Sequence, residues 1–327
     1  MHHPLHTPIC DLFGIEYPIF LAGMGGVSTA PLVAAVSNAG GLGVIGAATM
    51  GPDELRDEIR RTRELTDKPF AVDLLAPLPD RIRLQVEVIY EEGVKVFVAG
   101  LAVPGEFIDE MHERDIKVIV MCGKVRHAQK SEAAGADVVA AQGTEAGGHT
   151  GEIGTLALVP QVVDAVRIPV LAAGGIVDGR GVVASLALGA QGVVIGTRFV
   201  ASNESQAADG YRKAIVDAQD DSTLRTRAYT GKPTRTIRTR YAEEWEKKAD
   251  EIQPFPMQAG ISMQQGVMDY MGHDTKNFDP QRTFLPAGQG SGLIHEIKPA
   301  AEIFQDIVRE AEAVIRERFG SAVPSRK

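Results

Sequence analysis

From Pro18 onward, short apolar runs alternate with longer stretches in which apolar residues recur every three or four positions and charges fill the gaps. The runs are PIFLAGM (18–24), LGVIGAA (42–48), FAVDLLA (70–76), VKVFVAGL (94–101), KVIVMCG (117–123), ADVVAAQG (136–143), PVLAAGG (169–175) and GVVIGTRF (192–199). Each is too short for a helix, is rich in Val, Ile, Leu or Ala, and lacks the polar alternation of a strand with one wet face, so each reads as a buried parallel strand. The intervening PDELRDEIRRTRELT, DRIRLQVEVIYEEG, PGEFIDEMHERD and KVRHAQKSEAAGA carry the periodicity of amphipathic crossover helices.

Eight such units, complete by residue 219, predict an α/β fold of the (β/α)8 TIM barrel type over 1–219. An open doubly wound sheet is the alternative, and it usually stops at fewer strands. The rhythm breaks between 220 and 296, where RTRAYTGKPTRTIRTRYAEEWEKKADE and PFPMQAGISMQQGVMDYM read as loop plus helices, a helical cap beside the barrel mouth. The final segment, 297–327, holds an amphipathic stretch, KPAAEIFQDIVREAEAVIRERFG, expected to pack back on the barrel, and a fraying tail, SAVPSRK.

Composition narrows the class of protein. The chain has 327 residues, 44% apolar and 24% charged, as in globular proteins with a large core. No segment approaches the roughly 18 to 20 uncharged apolar residues of a membrane span. The start, MHHPLHTPICDLFG, lacks the basic and apolar regions of a secretory signal, so a cytoplasmic location with no membrane partner is expected. Cys10 and Cys122 are too few for a disulfide framework or thiolate metal site and read as reduced thiols; no metal is expected. A net charge of −9 argues against nucleic acid as a partner and for a small-molecule enzyme, with homo-oligomerisation left open.

In such a barrel the active site lies at the carboxyl ends of the strands, and phosphates favour the loops after strands seven and eight. Here these are AAGGIVDGRG and IGTRFVAS: Gly174 and Gly175 let backbone approach a phosphate, while Gly196 and Thr197 add backbone donors and a hydroxyl. The first loop, AGMGGVSTAPLVAAVSNAGG, is nearly charge-free and can lie against a flat ligand; it lacks GxGxxG spacing, which weakens a Rossmann reading. After strand six, AAQGTEAGGHTGEIG (140–154) sets five glycines around one imidazole, that of His149. An imidazole titrates near neutrality and can take an acidic α-proton or hydrogen-bond an oxyanion. His112 and His127 sit among charges on crossover helices, and His273 and His295 lie in or beside the cap. Glu145 and Glu152 either orient His149 or are solvated loop carboxylates.

PIFLAGMGGVST, VSNAGGLGVIG, KPFAVDLL, AAQGTEAGGHTGE, PVLAAGGIVDGRG, LGAQGVVIGTRFVAS and PAGQGSGLI together resemble the successive motifs of the nitronate monooxygenase (2-nitropropane dioxygenase) family. That family is similar to FMN-dependent enoyl-acyl-carrier-protein reductases and NADH:quinone reductases. The resemblance spans roughly residues 8–200 and 286–294. It implies an FMN barrel in which Gly23, Met24 and Gly25 contact the isoalloxazine, Gly174, Gly175, Gly196 and Thr197 hold the phosphate, Asp73, Gly148, Ala173 and Gln289 also line the cofactor site, and His149 lies near the reactive edge. The PAGQGSGLI loop would close over the site, with Gln289 its one hydrogen-bonding side chain of any reach.

Two positions depart from the family pattern. Asp73 stands where relatives often carry an asparagine, and an ionised carboxylate only accepts hydrogen bonds. Met121 stands where quinone-reductase relatives place a lysine; Lys124 either replaces it or begins a helix. In the cap, Lys232, Arg235, Arg238 and Arg240 either meet phosphates of NAD(P)H or an acyl-CoA or form a solvated basic face, and Met257, Met263, Met268 and Met271 either pack a core or line an adaptable pocket. The reading that follows is an FMN oxidoreductase converting alkyl nitronates and O2 to a carbonyl compound and nitrite. The runner-up is an NAD(P)H-dependent quinone or enoyl-thioester reductase. Strands seven and eight also resemble those of inosine-monophosphate dehydrogenases, but Gly143 and Thr144 occupy the loop where those enzymes carry a nucleophilic cysteine.

Overall fold

The computed structural model describes residues 3–75, 79–269 and 278–319. Met271, His273 and the tail 321–327 lie outside the described residues. Eight parallel strands form the expected barrel: β1 (Ile19–Leu21), β2 (Gly43–Gly46), β3 (Phe70–Leu75), β4 (Val96–Gly100), β5 (Lys117–Cys122), β6 (Val138–Gln142), β7 (Val170–Ala173) and β8 (Gly192–Ile195). Neighbours in sequence pair from β2 through β8. β8 then pairs with β1 (Ile19 opposite Val193), and a Phe20–Leu42 bridge links β1 back toward β2. The strands are almost wholly buried because helices cover their outer faces and side chains fill the interior, as the near-continuous apolar runs require.

β8 is shorter than its apolar run. It ends at Ile195, and Gly196 caps a one-turn helix, Thr197–Val200, so Arg198 and Phe199 leave the strand. At the opposite end a short helix, Pro8–Phe13, covers the amino ends of the strands. Its Phe13 meets Phe20 edge-on at 5.4 Å, and Thr7 Oγ1 donates to Gln191 O at 2.5 Å. The helix Ala300–Val314 buries Ile303, Phe304, Ile307 and Val308 in the barrel's own core and packs on the helices Gly179–Ala187 and Ala30–Asn38.

The segment after residue 219 departs from the loop-plus-helix expectation. Thr223–Thr226 (β9) and Thr234–Ile237 (β10) form an antiparallel hairpin, followed by helices Arg240–Glu246 and Met257–Gln264. The Thr and Ile of TRTI are β-branched and all four residues are buried, conditions that favour a strand over a helix. β10 also pairs antiparallel with Gly148–His149, so the loop after β6 becomes the third strand of a small sheet. No helix among the described residues is long and apolar enough to cross a membrane.

Candidate active site

The loop after β1 turns back on itself through Met24 N–H, which donates to Ser28 Oγ at 2.8 Å. It then lies across the carboxyl ends of β2 and β3 so closely that a Cβ on Gly23 would overlap the Asp73 carboxyl. No larger residue fits there without displacing Asp73. Asp73 itself stands on β3 between Gly46 and Val98. Its Oδ1 is buried and has no hydrogen-bond partner within the protein, and burial holds its pKa well above the usual carboxylate range. Burial thus favours the protonated form, where the sequence reading weighed the ionised one. A protonated carboxyl both donates and accepts, as an asparagine amide does. An orphaned polar atom and a glycine-cleared floor at the mouth fit a flat heteroaromatic ligand such as a flavin, which can supply the missing partner.

The other end of the mouth is built by four loops that bind one another. Gly174 and Gly175 follow β7 with φ of 103° and 73°, left-handed values that a side chain would strain. Beside them Gly143 N–H donates to the carbonyl of buried Ala173 at 2.9 Å. Thr155 Oγ1 stands 2.9 Å from Glu145 Oε2 and 3.0 Å from Gly174 O. Thr197 Oγ1 accepts from Gly288 N–H at 3.0 Å, and its own proton remains for a ligand. Gln289 donates its backbone N–H to Glu145 O at 2.9 Å, drawing the 286–294 loop over the mouth, while its side chain is exposed. Glu145 does not orient His149: its carboxylate accepts from Thr155 N–H at 2.9–3.0 Å and caps the helix Thr155–Ala165. Glu152 is a surface partner of Arg225 at 3.8 Å.

His149 is held by the small sheet. It pairs with Thr234, its carbonyl accepts from Gln142 Nε2 at 3.2 Å, and Thr150 Oγ1 donates to Gly143 O at 2.9 Å. The half-buried ring places Nε2 3.0 Å from Thr230 Oγ1 and meets Phe255 edge-on at 6.3 Å. Burial first, and the Lys232 charge second, push its pKa down from 6.5 to about 4, so the imidazole is neutral at pH 7. Lys232 Nζ sits 4.7 Å over the Phe255 ring. Phe255 also closes one side of a cavity of about 340 Å³, walled by Ala48, Met50, Leu74, Leu75 and Leu101. Leu101 is one of two non-glycine residues in the left-handed region among the described residues (φ 66°), a costly backbone state at a cavity wall.

The remaining candidates separate by position. Arg235 is buried and committed, donating to Thr144 O at 2.8 Å and Thr223 Oγ1 at 3.2 Å. Arg238 and Arg240 pair with Glu243 and Glu244 on a solvated face, and Lys124 takes the N-cap position of the helix Val125–Ala133. Met257 and Met263 are exposed, whereas Met268 packs beside Tyr229, Tyr241 and Phe284. Both cysteines are buried and free, and burial pushes Cys122 up to about 11, so neither is a reactive thiolate. Thr230 and Phe255 escaped the sequence reading. They lie far along the chain from His149 and meet it through long-range packing, for which no local motif exists.

Relatives and solved structures share this fold. A probable nitronate monooxygenase of Staphylococcus saprophyticus is 36% identical, over 95% of this chain and 99% of its own. FabK from Thermotoga maritima superposes with a TM-score of 0.89 at 42% identity, covering 97% of this chain and 99% of its own. A nitroalkane oxidase from Streptomyces ansochromogenes does so with a TM-score of 0.84 at 33% identity, covering 93% and 98%. A Mycobacterium tuberculosis protein named (3aS,4S,5R,7aS)-5-hydroxy-7a-methyl-1-oxo-octahydro-1H-indene-4-carboxyl-CoA dehydrogenase is 43% identical over 74% of this chain and 69% of its own. Fold and relatives define a flavin-dependent oxidoreductase. The sequence model of nitronate monooxygenases matches residues 6–84 and 82–310, and the chain belongs to the nitronate monooxygenase family.

Proposed function

We propose that the protein holds FMN across the barrel mouth and oxidises alkyl nitronates with O2 to a carbonyl compound and nitrite. The observation that carries this reading is the half-buried imidazole of His149, whose Nε2 meets the Thr230 hydroxyl and beside which, among the described residues, lies Lys232 and no carboxylate. In this reading Gly23, Met24 and Gly25 underlie the ring, Asp73 and Gly148 flank it, and Ala173, Gly174, Gly175, Gly196 and Thr197 cradle the phosphate. The loop carrying Gln289 closes over them. The flavin, when bound, supplies the electron-transfer chemistry.

The protein's own side chains do the rest. A carboxylate behind His149 would raise its basicity; burial and Lys232 lower it instead, so a preformed nitronate, which has already lost its α-proton, is the better substrate. Lys232, over the Phe255 ring, complements the charge of that anion. The apolar walls around Met50, Leu74 and Leu101 exclude water and accept the alkyl chain.

A second reading, an NAD(P)H-dependent reductase of enoyl thioesters or quinones, draws on that same cavity, since it also accommodates an acyl chain, and on the relative named for a carboxyl-CoA substrate. The two divide on aerobic turnover. Nitrite released from a nitronate without NADH consumption supports the first. NADH oxidation that depends on an enoyl thioester or quinone, with no nitrite from nitronates, replaces it with the second.

A further inference from the structure

Thr230 is 4% exposed, and three polar groups converge on its one hydroxyl. Lys232 N–H donates to Oγ1 at 3.3 Å, Lys232 O lies 3.2 Å away, and His149 Nε2 lies 3.0 Å away. A hydroxyl has one proton and two lone pairs. The backbone N–H takes one lone pair. Lys232 O can only accept, so it takes the proton. The lone pair left over faces His149, and Nε2 must then carry a hydrogen to fill it. The opposite arrangement, with Thr230 donating to Nε2, leaves the Lys232 carbonyl without this donor.

We propose that Thr230 is a positioning residue: its hydroxyl, oriented by the Lys232 carbonyl, holds His149 as the Nε2–H tautomer and leaves Nδ1 as the basic atom of the site. The inference deepens the proposed function: the tautomer stands apart from it, and the kinetic consequence rests on its extension to neutral nitroalkanes, the substrates whose α-proton the neutral His149 would take. When a neutral nitroalkane binds, its α C–H bond breaks, the proton forms an N–H bond at Nδ1, the C–H electron pair becomes the C=N π bond of the nitronate, and the N=O π pair moves onto oxygen, leaving an imidazolium whose Nε2–H still points at Thr230. Among the described residues Lys232 is the charged group that acts on the ring and no carboxylate does so, which leaves the hydroxyl to set the tautomer.

The test is nitrogen-15 NMR of the flavin-loaded protein with labelled histidine at neutral pH, the His149 signals being assigned by their loss in His149→Gln. The wild type should show a protonated Nε2 and an unprotonated Nδ1. Thr230→Ser should keep that pattern, and Thr230→Val, which keeps the shape and removes the hydroxyl, should lose it. In parallel, Thr230→Val should lower kcat on neutral nitroalkanes by at least about tenfold while sparing preformed nitronates and flavin content, with Thr230→Ser restoring the rate. A wild-type Nδ1–H tautomer, an unchanged pattern in Thr230→Val, or an unchanged kcat in that variant overturns the proposal. If the protein turns over no nitro compound at all, the NMR arm still decides the tautomer, and it is the proposed function that fails.

Discussion

Lowering the pH should destabilise the protein through His149, by an amount the structure sets. Burial and Lys232 hold the native imidazole near pKa 4, against 6.5 for a free one. Because the native value is depressed, the unfolded chain binds a proton at His149 between those values while the native state does not, and stability is lost as pH falls. Linkage with these two values gives a loss of about 0.2 kcal/mol at pH 7 and about 2 kcal/mol at pH 5. His149→Gln removes the titrating group. Urea unfolding of flavin-free wild type and His149→Gln at both pH values cancels every other titration in the difference. The wild type should lose about 2 kcal/mol more than the variant between pH 7 and pH 5. A difference within about 0.3 kcal/mol would mean that the ring is solvated and the account of its neutral state is wrong.

Two further outcomes follow from the cradle. Gly175→Asp and Gly196→Asp each set a carboxylate against the phosphate position, so both should purify without flavin while circular dichroism reports a folded barrel; full occupancy in both would move the phosphate elsewhere. Asp73→Asn keeps a donor and an acceptor beside the ring and should retain flavin. Since the native carboxyl pKa is raised, the flavin-free wild type should lose stability as pH rises above about 4, by at most about 1.4 kcal/mol per unit, and the variant should not. Identical pH slopes in denaturant unfolding would show Asp73 to be ionised.

The barrel was legible because a parallel strand covered on both faces must be apolar throughout, and eight such runs are hard to arrange otherwise. What the pattern misjudged lies where glycine overrules it: the apolar run at 192–199 continues past Gly196, yet the chain turns into a helix there. His149 was legible for a related reason, since glycines strip its surroundings of other side chains. Its controls were not. Thr230 comes to the ring beside the pairing of β10 with Gly148–His149 and Phe255 from the chain beyond the hairpin, and such long-range contacts leave no signature at either end. The position of Asp73 could be read, but not its proton, because charge state depends on burial that only the folded chain defines. Arg235 shows the reverse case: a cation that sequence offers to a ligand is spent on the carbonyl of Thr144.

The central claim is that this barrel passes electrons from a nitronate to a flavin. Anaerobic titration of the purified, flavin-loaded protein, followed at the flavin's visible absorption band, tests it directly. Addition of an alkyl nitronate should bleach the band at a rate compatible with aerobic turnover, and NADH or NADPH at the same concentration should leave it unchanged. Rapid bleaching by a nicotinamide with none by the nitronate would contradict the account.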